Sequence, residues 1–455
     1  MKKFFGNKAF YMTTLAIALP IMAQQFVTSF VNLIDNIMIG SVGTIALTSV
    51  TVANRVYLIF NSTMFGICGA AGIFIAQYYG AKKKENCQKI LNINLVCGII
   101  VSFIFVLALL LIPRQLMEIF SSNPIVIEES LKYIQYALLT YTPFAISFSI
   151  MMALRAVGIN RIQLLVGVIT VAINTSLNYV LIFGHFGFPA LGVQGAAIAT
   201  AIARFVEMFI YIIILVRKKH MFYINIKELF HLDFSLIRSM TRKAIPLTIN
   251  EIFFSLGMAM LFLSYVRCDE SLISAISVVD TVIQIGFIIF GGLSSAISIL
   301  IGKRLGANEI DEAKENAYKL ITFGVVIGII VGSIFILIAP LIASFYNVEL
   351  IIKEAIVSLL RIKSFLIPIY VYNVCIFFVL RAGGDTFSTM LMDSGFLWIA
   401  GVLVSTVLSM FFEIPLVWLY LIVESLDIVK LFVARYFFKK GNWAKNMTIT
   451  LKEAC

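Results

Sequence analysis

The stretch Tyr11 to Gly40, YMTTLAIALPIMAQQFVTSFVNLIDNIMIG, decides the fold. It exceeds the roughly 20 apolar residues needed to cross a bilayer as a helix. It contains Pro20 and, near its far end, the carboxylate of Asp35. An ionisable group in or near hydrocarbon needs a partner, a proton or a water-filled cavity, so Asp35 is the first functional candidate. The basic start, Met1 to Lys8, superficially resembles a signal peptide. No short apolar core with a small-residue cleavage site follows, so the stretch reads as a retained first helix.

The rest of the chain repeats this character. Of its 455 residues 61% are hydrophobic and 13% charged, with a mean hydropathy of +1.00; soluble domains carry about 25% charged residues. The expected fold is an all-α polytopic membrane protein with twelve transmembrane helices, at 11–38, 46–76, 89–113, 130–153, 162–184, 193–216, 241–266, 272–300, 317–340, 354–379, 387–409 and 413–436. The net charge of +11 does not imply nucleic acid, because the charges sit in short loops between apolar runs. Lys and Arg accumulate in cytoplasmic loops. With the amino terminus inside, the inner segments hold 27 of the 35 basic residues, and the outer loops hold Arg114, Lys132, Arg267 and Lys353. Both termini are therefore expected on the cytoplasmic side of the cell inner membrane.

The longest polar connection lies near 217–240 and divides the chain into similar halves, which invites a test for duplication. Pro20 and Pro246 are 226 residues apart, and the same offset relates Gly80-Ala81 to Gly306-Ala307, Leu154-Arg155-Ala156 to Leu380-Arg381-Ala382, and Gly158 to Gly384. The expected organisation is two pseudo-symmetric six-helix lobes, 1–216 and 241–436, with a cytoplasmic linker at 217–240 and a basic tail at 437–455. Six helices per half make the repeat parallel, and such lobes rocking about a cleft give alternating access.

Four polar side chains fall at overlapping depths in the first half: Asp35, Asn174 and Asn178 one turn apart on one helix face, and Thr200. A carboxylate, amide oxygens and a hydroxyl suit a hard cation such as Na⁺, and the same carboxylate can carry H⁺. Alternatively these groups hydrogen-bond helices together. Gln24 and Asn32 add polarity to the first span, and Asn32 shares the Asp35 face. Glu251, one turn beyond Pro246, is a candidate cation contact or proton carrier. Arg55 and Asp280 are candidates for an ion pair across the cleft, since the offset maps Asn54 onto Asp280. Arg204 and Glu207 form a local pair by spacing, whereas Arg361 and Lys363 have no evident partner. The six cysteines show no redox or metal spacing. His185, His220 and His231 lack ligand spacing, and with no nucleophile–base set the chain is not expected to be an enzyme. No cofactor is expected beyond a coupling ion, and no selectivity motif points to a channel.

Taken together, Val31-Asn32-Leu33-Ile34-Asp35-Asn36-Ile37-Met38-Ile39-Gly40, the Gln77 to Ala81 segment, Leu154-Arg155-Ala156-Val157-Gly158, Asn174 to Gly184, Leu191 to Thr200, Gly306-Ala307 and Leu380-Arg381-Ala382-Gly383-Gly384-Asp385 resemble the multidrug and toxic compound extrusion (MATE) family over essentially the whole chain. The resemblance implies a membrane antiporter that expels small-molecule organic cations, often aromatic, in exchange for Na⁺ or H⁺; the chain is expected to function as a monomer. The resemblance also implies a coupling-ion site, Na⁺ if a metal, at Asp35, Asn174, Asn178 and Thr200; the substrate or cavity roles expected for Gln24, Asn32, Glu251, Arg55 and Asp280 rest on the residues themselves. Some relatives carry an aspartate where this chain has Asn178, so only one carboxylate stands here. The alternative reading is a lipid-linked precursor flippase, for which Arg55, Arg361 and Lys363 would meet an anionic pyrophosphate.

Overall fold

A computed structural model describes residues 4–217, 221–223, 226–229, 233–346 and 348–449; His220, His231 and Cys455 lie outside the described residues. The long helices in chain order are α1 Lys8–Val42, α2 Thr44–Gly80, α3 Lys84–Leu111, α4 Pro124–Ala156, α5 Asn160–Phe183, α6 Val193–Arg217, α7 Phe234–Cys268, α8 Glu270–Gly306, α9 Ile310–Ser344, α10 Leu350–Ala382, α11 Thr386–Phe411 and α12 Leu416–Lys440. Among the described residues, eleven of these are long and apolar enough to cross a membrane. The twelfth expected span, 413–436, is a 25-residue helix, but its middle carries Glu424, Asp427 and Lys430. Those charges, not its length, separate it from the others.

Local chemistry explains where the helices stop and start. Asn123 accepts a hydrogen bond from the Ile125 amide and precedes Pro124, a capped start with proline in the first turn. Gly184 and Gly441 end α5 and α12 in the left-handed region, at φ 77° and 73°. Asp311 and Glu312 place negative charge on the first turn of α9.

The duplication extends to backbone conformation. Lys82 and Asn308, which are not glycines, both adopt positive φ, at 60° and 64°, and Gly158 and Gly384 do so at 85° and 76°. The turns close alike: the Lys83 amide bonds to Tyr78 O and Glu309 to Arg304 O, while Ile159 bonds to Leu154 O and Asp385 to Leu380 O. Each pair is related by the 226-residue offset. Two copies of one sequence pattern thus terminate their helices with the same hydrogen bonds.

The chain divides into two compact units. The first comprises Pro20–Tyr79 and Lys83–Thr248. Its core centres on Phe60, fully buried, with rings of Tyr57, Phe105, Tyr141 and Phe144 within 6.0 Å. A 3₁₀ turn, Leu138–Thr140, interrupts α4 beside that cluster. In the same unit, the Gln88 amide donates to Tyr223 O at 2.8 Å and accepts from Tyr223 N at 3.0 Å, while Asn92 donates to Glu228 O. The segment after α6 is therefore tied to α3 through its backbone, with Phe222 buried beneath.

The second unit comprises Met1–Leu19, Gly80–Lys82 and Ile249–Cys455. Its aliphatic core comes mainly from α8, α9, α10 and α12. The segment after α12 folds back: Trp443 is buried, stacks on Phe438 at 5.5 Å, and is followed by Asn446 donating to Gly306 O. A Cβ at Gly383 would overlap the Trp443 carbonyl, so close backbone approach requires glycine there. Within α11, Leu391–Gly395 and Leu397–Val402 are π-helical, a widening often found at functional positions. Both units also present exposed apolar side chains outward, such as Phe103, Leu111, Ile330 and Leu337, as lipid-facing helices do.

Candidate functional site

In the first unit α1, α5 and α6 bring four of the expected residues together. Asn178 Nδ2 donates to Asp35 Oδ1 at 2.8 Å and lies 3.4 Å from Asn174 Oδ1; Asn174 Nδ2 in turn donates to Thr200 Oγ1 at 3.3 Å. The helical spacing of 174 and 178 puts both amides on one face, and the small residues Ala196, Ala197 and Ala199 on α6 let that helix approach closely. Asn178 is 1% exposed, and among the described residues its Oδ1 has no hydrogen-bond partner. A buried amide oxygen without a donor is costly, and a cation or a protonated group would satisfy it. The donor set therefore fits a hard cation: one carboxylate, amide oxygens and a hydroxyl.

Asp35, Asn178 and Thr200 border a cavity of about 410 Å³ that also includes Asn32, Asn54, Tyr57 and Arg204; Asn174 is not in its lining. Arg204 is neutralised by Glu207 at 2.7 Å and lies 5.0 Å from the Phe144 ring centre. Asn32 joins the cavity as expected from its shared face with Asp35. Gln24 does not: it accepts from Gln163 Nε2 at 2.7 Å, and Gln163 Oε1 accepts from Arg155 at 3.1 Å. That relay holds α1 just beyond Pro20. Arg55 follows Asn54 on α2 and is not among the residues lining the cavity.

The second unit carries its own charged arrangement. Glu251 pairs with Arg381 at 3.2 Å, so α7 is held just beyond Pro246 by an arginine at the position equivalent to Arg155. Asn250 Nδ2 donates to Asp393 Oδ2 at 3.2 Å, its Oδ1 accepts from the Ser394 amide, and Lys430 Nζ contacts Asp393 Oδ1 at 2.8 Å. Asp393 lies in the π-helical turn of α11, which frees local backbone to meet Asn250. Lys363 on α10 pairs with Glu424 on α12 at 2.5 Å. Asp280 borders a cavity of about 170 Å³ together with Lys363, Glu424, Asp427 and Lys430. Arg55 and Asp280 belong to different units.

Sequence reasoning missed the pairs Lys363–Glu424 and Lys430–Asp393. Applying the repeat offset to the first cavity was the available signal. Asp35, Asn54, Ala137, Thr200 and Arg204 map onto Leu261, Asp280, Lys363, Leu426 and Lys430, and both sets line cavities. The two halves thus hollow out corresponding positions and fill them with different charges.

Comparison with known proteins agrees with this architecture. A family model described as MatE matches residues 20–180 and again 246–407, two matches whose starts differ by the same 226 residues. A probable multidrug resistance protein NorM from Thermotoga maritima is 26% identical over 445 residues, covering 95% of this chain and 93% of that relative. A probable multidrug resistance protein YoeA from Bacillus subtilis is 24% identical over 321 residues, 70% of this chain and 68% of the relative. In fold, the chain is similar to an outward-facing multidrug resistance MATE family transporter of the MOP superfamily, with a TM-score of 0.85, 17% identity, and 95% and 96% of the two chains covered. It is similar also to a MOP superfamily transporter from Pyrococcus furiosus whose reversed pocket polarity is described as suggesting a different function; here the TM-score is 0.86 at 16% identity, with 97% and 98% covered.

Proposed function

The chain belongs to the MatE family of multidrug efflux transporters, and on that premise we propose that it is a secondary antiporter exporting organic cations in exchange for Na⁺ or H⁺. It is a polytopic membrane transporter, not an enzyme. In this reading it works as a monomer in the cell membrane, with twelve membrane helices, α12 included, in two six-helix lobes at 1–216 and 241–436, a linker at 217–240 and a tail at 437–455. Both termini are cytoplasmic.

The observation that carries the reading is the Asn178 Oδ1, buried without a donor among the described residues, on an amide that also holds the Asp35 carboxylate. Asp35, Asn174, Asn178 and Thr200 would hold Na⁺, or Asp35 would carry H⁺. Either ion neutralises a carboxylate whose charge is expensive away from water. It drives transport by binding one conformation more tightly than the other, since equal affinity shifts nothing. The α1 segment beyond Pro20, tied through Gln24 to Gln163 and Arg155, is the part whose position would respond.

The test is uptake of a fluorescent organic cation into inside-out vesicles with Na⁺ and pH gradients imposed separately, for the intact chain and for Asp35→Asn. Gradient-driven uptake by the intact chain and its loss in the variant are expected. Uptake unchanged by Asp35→Asn would remove Asp35 from coupling. The flippase reading has less support, because Lys363, one of the three bases it needs beside Arg55 and Arg361, is engaged by Glu424. Movement of a polyprenyl pyrophosphate without cation uptake would establish it instead.

A further inference from the structure

The smaller cavity, in the second unit, has features that the coupling reading leaves unexplained. Its charged lining is Asp280, Glu424 and Asp427 against Lys363 and Lys430, and Lys430 is engaged by Asp393. Lys363 Nζ lies 2.5 Å from Glu424 Oε2 and 5.9 Å from the Tyr370 ring centre, and Phe287 stacks on Tyr370 at 4.7 Å. Tyr265 and Tyr420 pack together at 5.6 Å on the same lining. Among the described residues, neither Asp280 nor Asp427 is in an ion pair. An ammonium is therefore seated where a carboxylate accepts its hydrogen bond, an aromatic ring lies within cation–π reach, and two further carboxylates stand nearby. The position equivalent to Lys363 in the first half is Ala137, so the duplicated pattern does not require a lysine here.

We infer that this cavity is a subsite for a protonated aromatic amine, and that the Lys363 ammonium is its resident stand-in. The inference rests on the export of organic cations proposed above and deepens it, by naming the nitrogen that the second half recognises. A ligand R–NH₃⁺ takes the place of Lys363 on Glu424, its ring joins Tyr370 and Phe287, and the displaced lysine turns to Asp280 or Asp427. No bond is made or broken; one ammonium exchanges for another. Because Glu424 receives a hydrogen bond, a ligand bearing N–H is preferred over a quaternary ammonium, which satisfies the ring and the charge but donates nothing. Because the walls are aromatic, an amine without a ring is the weaker ligand.

Equilibrium binding of radiolabelled phenethylamine, measured in phosphatidylcholine nanodiscs with no ion gradient, tests this directly, with its trimethylated analogue and ethanolamine as competitors. Lys363→Met is expected to tighten phenethylamine binding about tenfold by removing the internal competitor, and Glu424→Gln to weaken it about tenfold, the scale of one charge-assisted hydrogen bond. Lys363→Gln, which keeps a donor for Glu424 without the charge, replaces Lys363→Met where the latter does not fold. Its binding is expected to change in the same direction. Both competitors are expected to be weaker than phenethylamine. Equal binding by the trimethylated analogue, or no tightening in a folded Lys363 variant, overturns the inference. Gradient-driven uptake reports the coupling site, whereas phenethylamine binding without a gradient, compared among the Lys363 and Glu424 variants, reports the amine subsite, so failure of the one reading and failure of the other give different results.

Discussion

Replacing Asn178 by leucine separates the two candidate coupling ions. The residue is 1% exposed, and leucine has nearly its shape, so packing is kept while the amide is removed. Two functions disappear together: the 2.8 Å hydrogen bond to Asp35 and the unbonded Oδ1. A hydrogen bond to a charged group contributes about 1.5–3 kcal/mol, and about 1.4 kcal/mol is a factor of ten in an equilibrium constant. If the ion is Na⁺, the site loses a ligand oxygen, and the Na⁺ concentration for half-maximal uptake should rise about 10- to 100-fold. If the ion is H⁺, the charged carboxylate loses its supporting donor, and the H⁺ concentration for half-maximal coupling should shift about 10- to 100-fold. The assay is cation uptake into inside-out vesicles, titrating Na⁺ at fixed pH and then pH without Na⁺. A folded variant whose two midpoints both stay within about twofold of the parent, well under the loss of one such bond, would refute the assignment of Asn178 to the coupling site.

Other sites make separate predictions. Gly383→Ala should displace the Trp443 carbonyl and lower the thermal unfolding midpoint in detergent, whereas Gly72→Ala, which meets nothing within 4 Å, should be neutral or stabilising by up to about 1 kcal/mol; equal midpoints would refute the close approach at Gly383. Gln88→Ala removes two hydrogen bonds that hold Tyr223, each contributing about 0.5–1.5 kcal/mol, so limited proteolysis within 217–233 should accelerate about tenfold or more. Cleavage at the parent rate would mean that the clamp does not secure the segment. Glu251→Leu leaves Arg381 without its carboxylate and should destabilise by about 3–5 kcal/mol, while adding Arg381→Met should recover most of the loss. A double variant no better than the single one would show that the pair is not the relevant contact.

The apolar runs made the helices legible, because membrane-span length and composition are local properties. The duplication was legible for a related reason: Gly158 and Gly384 occupy positive-φ positions, where the backbone itself restricts the residue, and such constraints persist at a fixed offset. The grouping of Asp35, Asn174, Asn178 and Thr200 followed from depth and helix face alone. What could not be read was which charge meets which. Glu251 stands beyond Pro246 as Gln25 stands beyond Pro20, yet its partner, Arg381, is 130 residues away, and nothing in the local pattern of either residue names the other. Asp393 meets Asn250 and Lys430 from a turn where α11 is π-helical, an irregularity the hydrophobic pattern does not announce.

The divergence between the halves follows from the same limit. A duplicated chain inherits backbone turns and cavity positions together, but each ionisable group must find its own counter-charge once it is in the membrane. The first half meets that requirement with one carboxylate among amides and a hydroxyl, an arrangement open to a small inorganic ion. The second places Leu261 where Asp35 stands and supplies its acids from α8 and α12, with lysines already seated among them. In the antiport proposed above, shared geometry with unlike charge would let one half respond to the ion while the other meets a larger cation. Leu261→Asp should therefore leave the Lys363–Glu424 seat intact and add a carboxylate to its cavity, strengthening binding of phenethylamine in nanodiscs; a folded variant with unchanged or weaker binding would show that the equivalent positions are not equivalent in use.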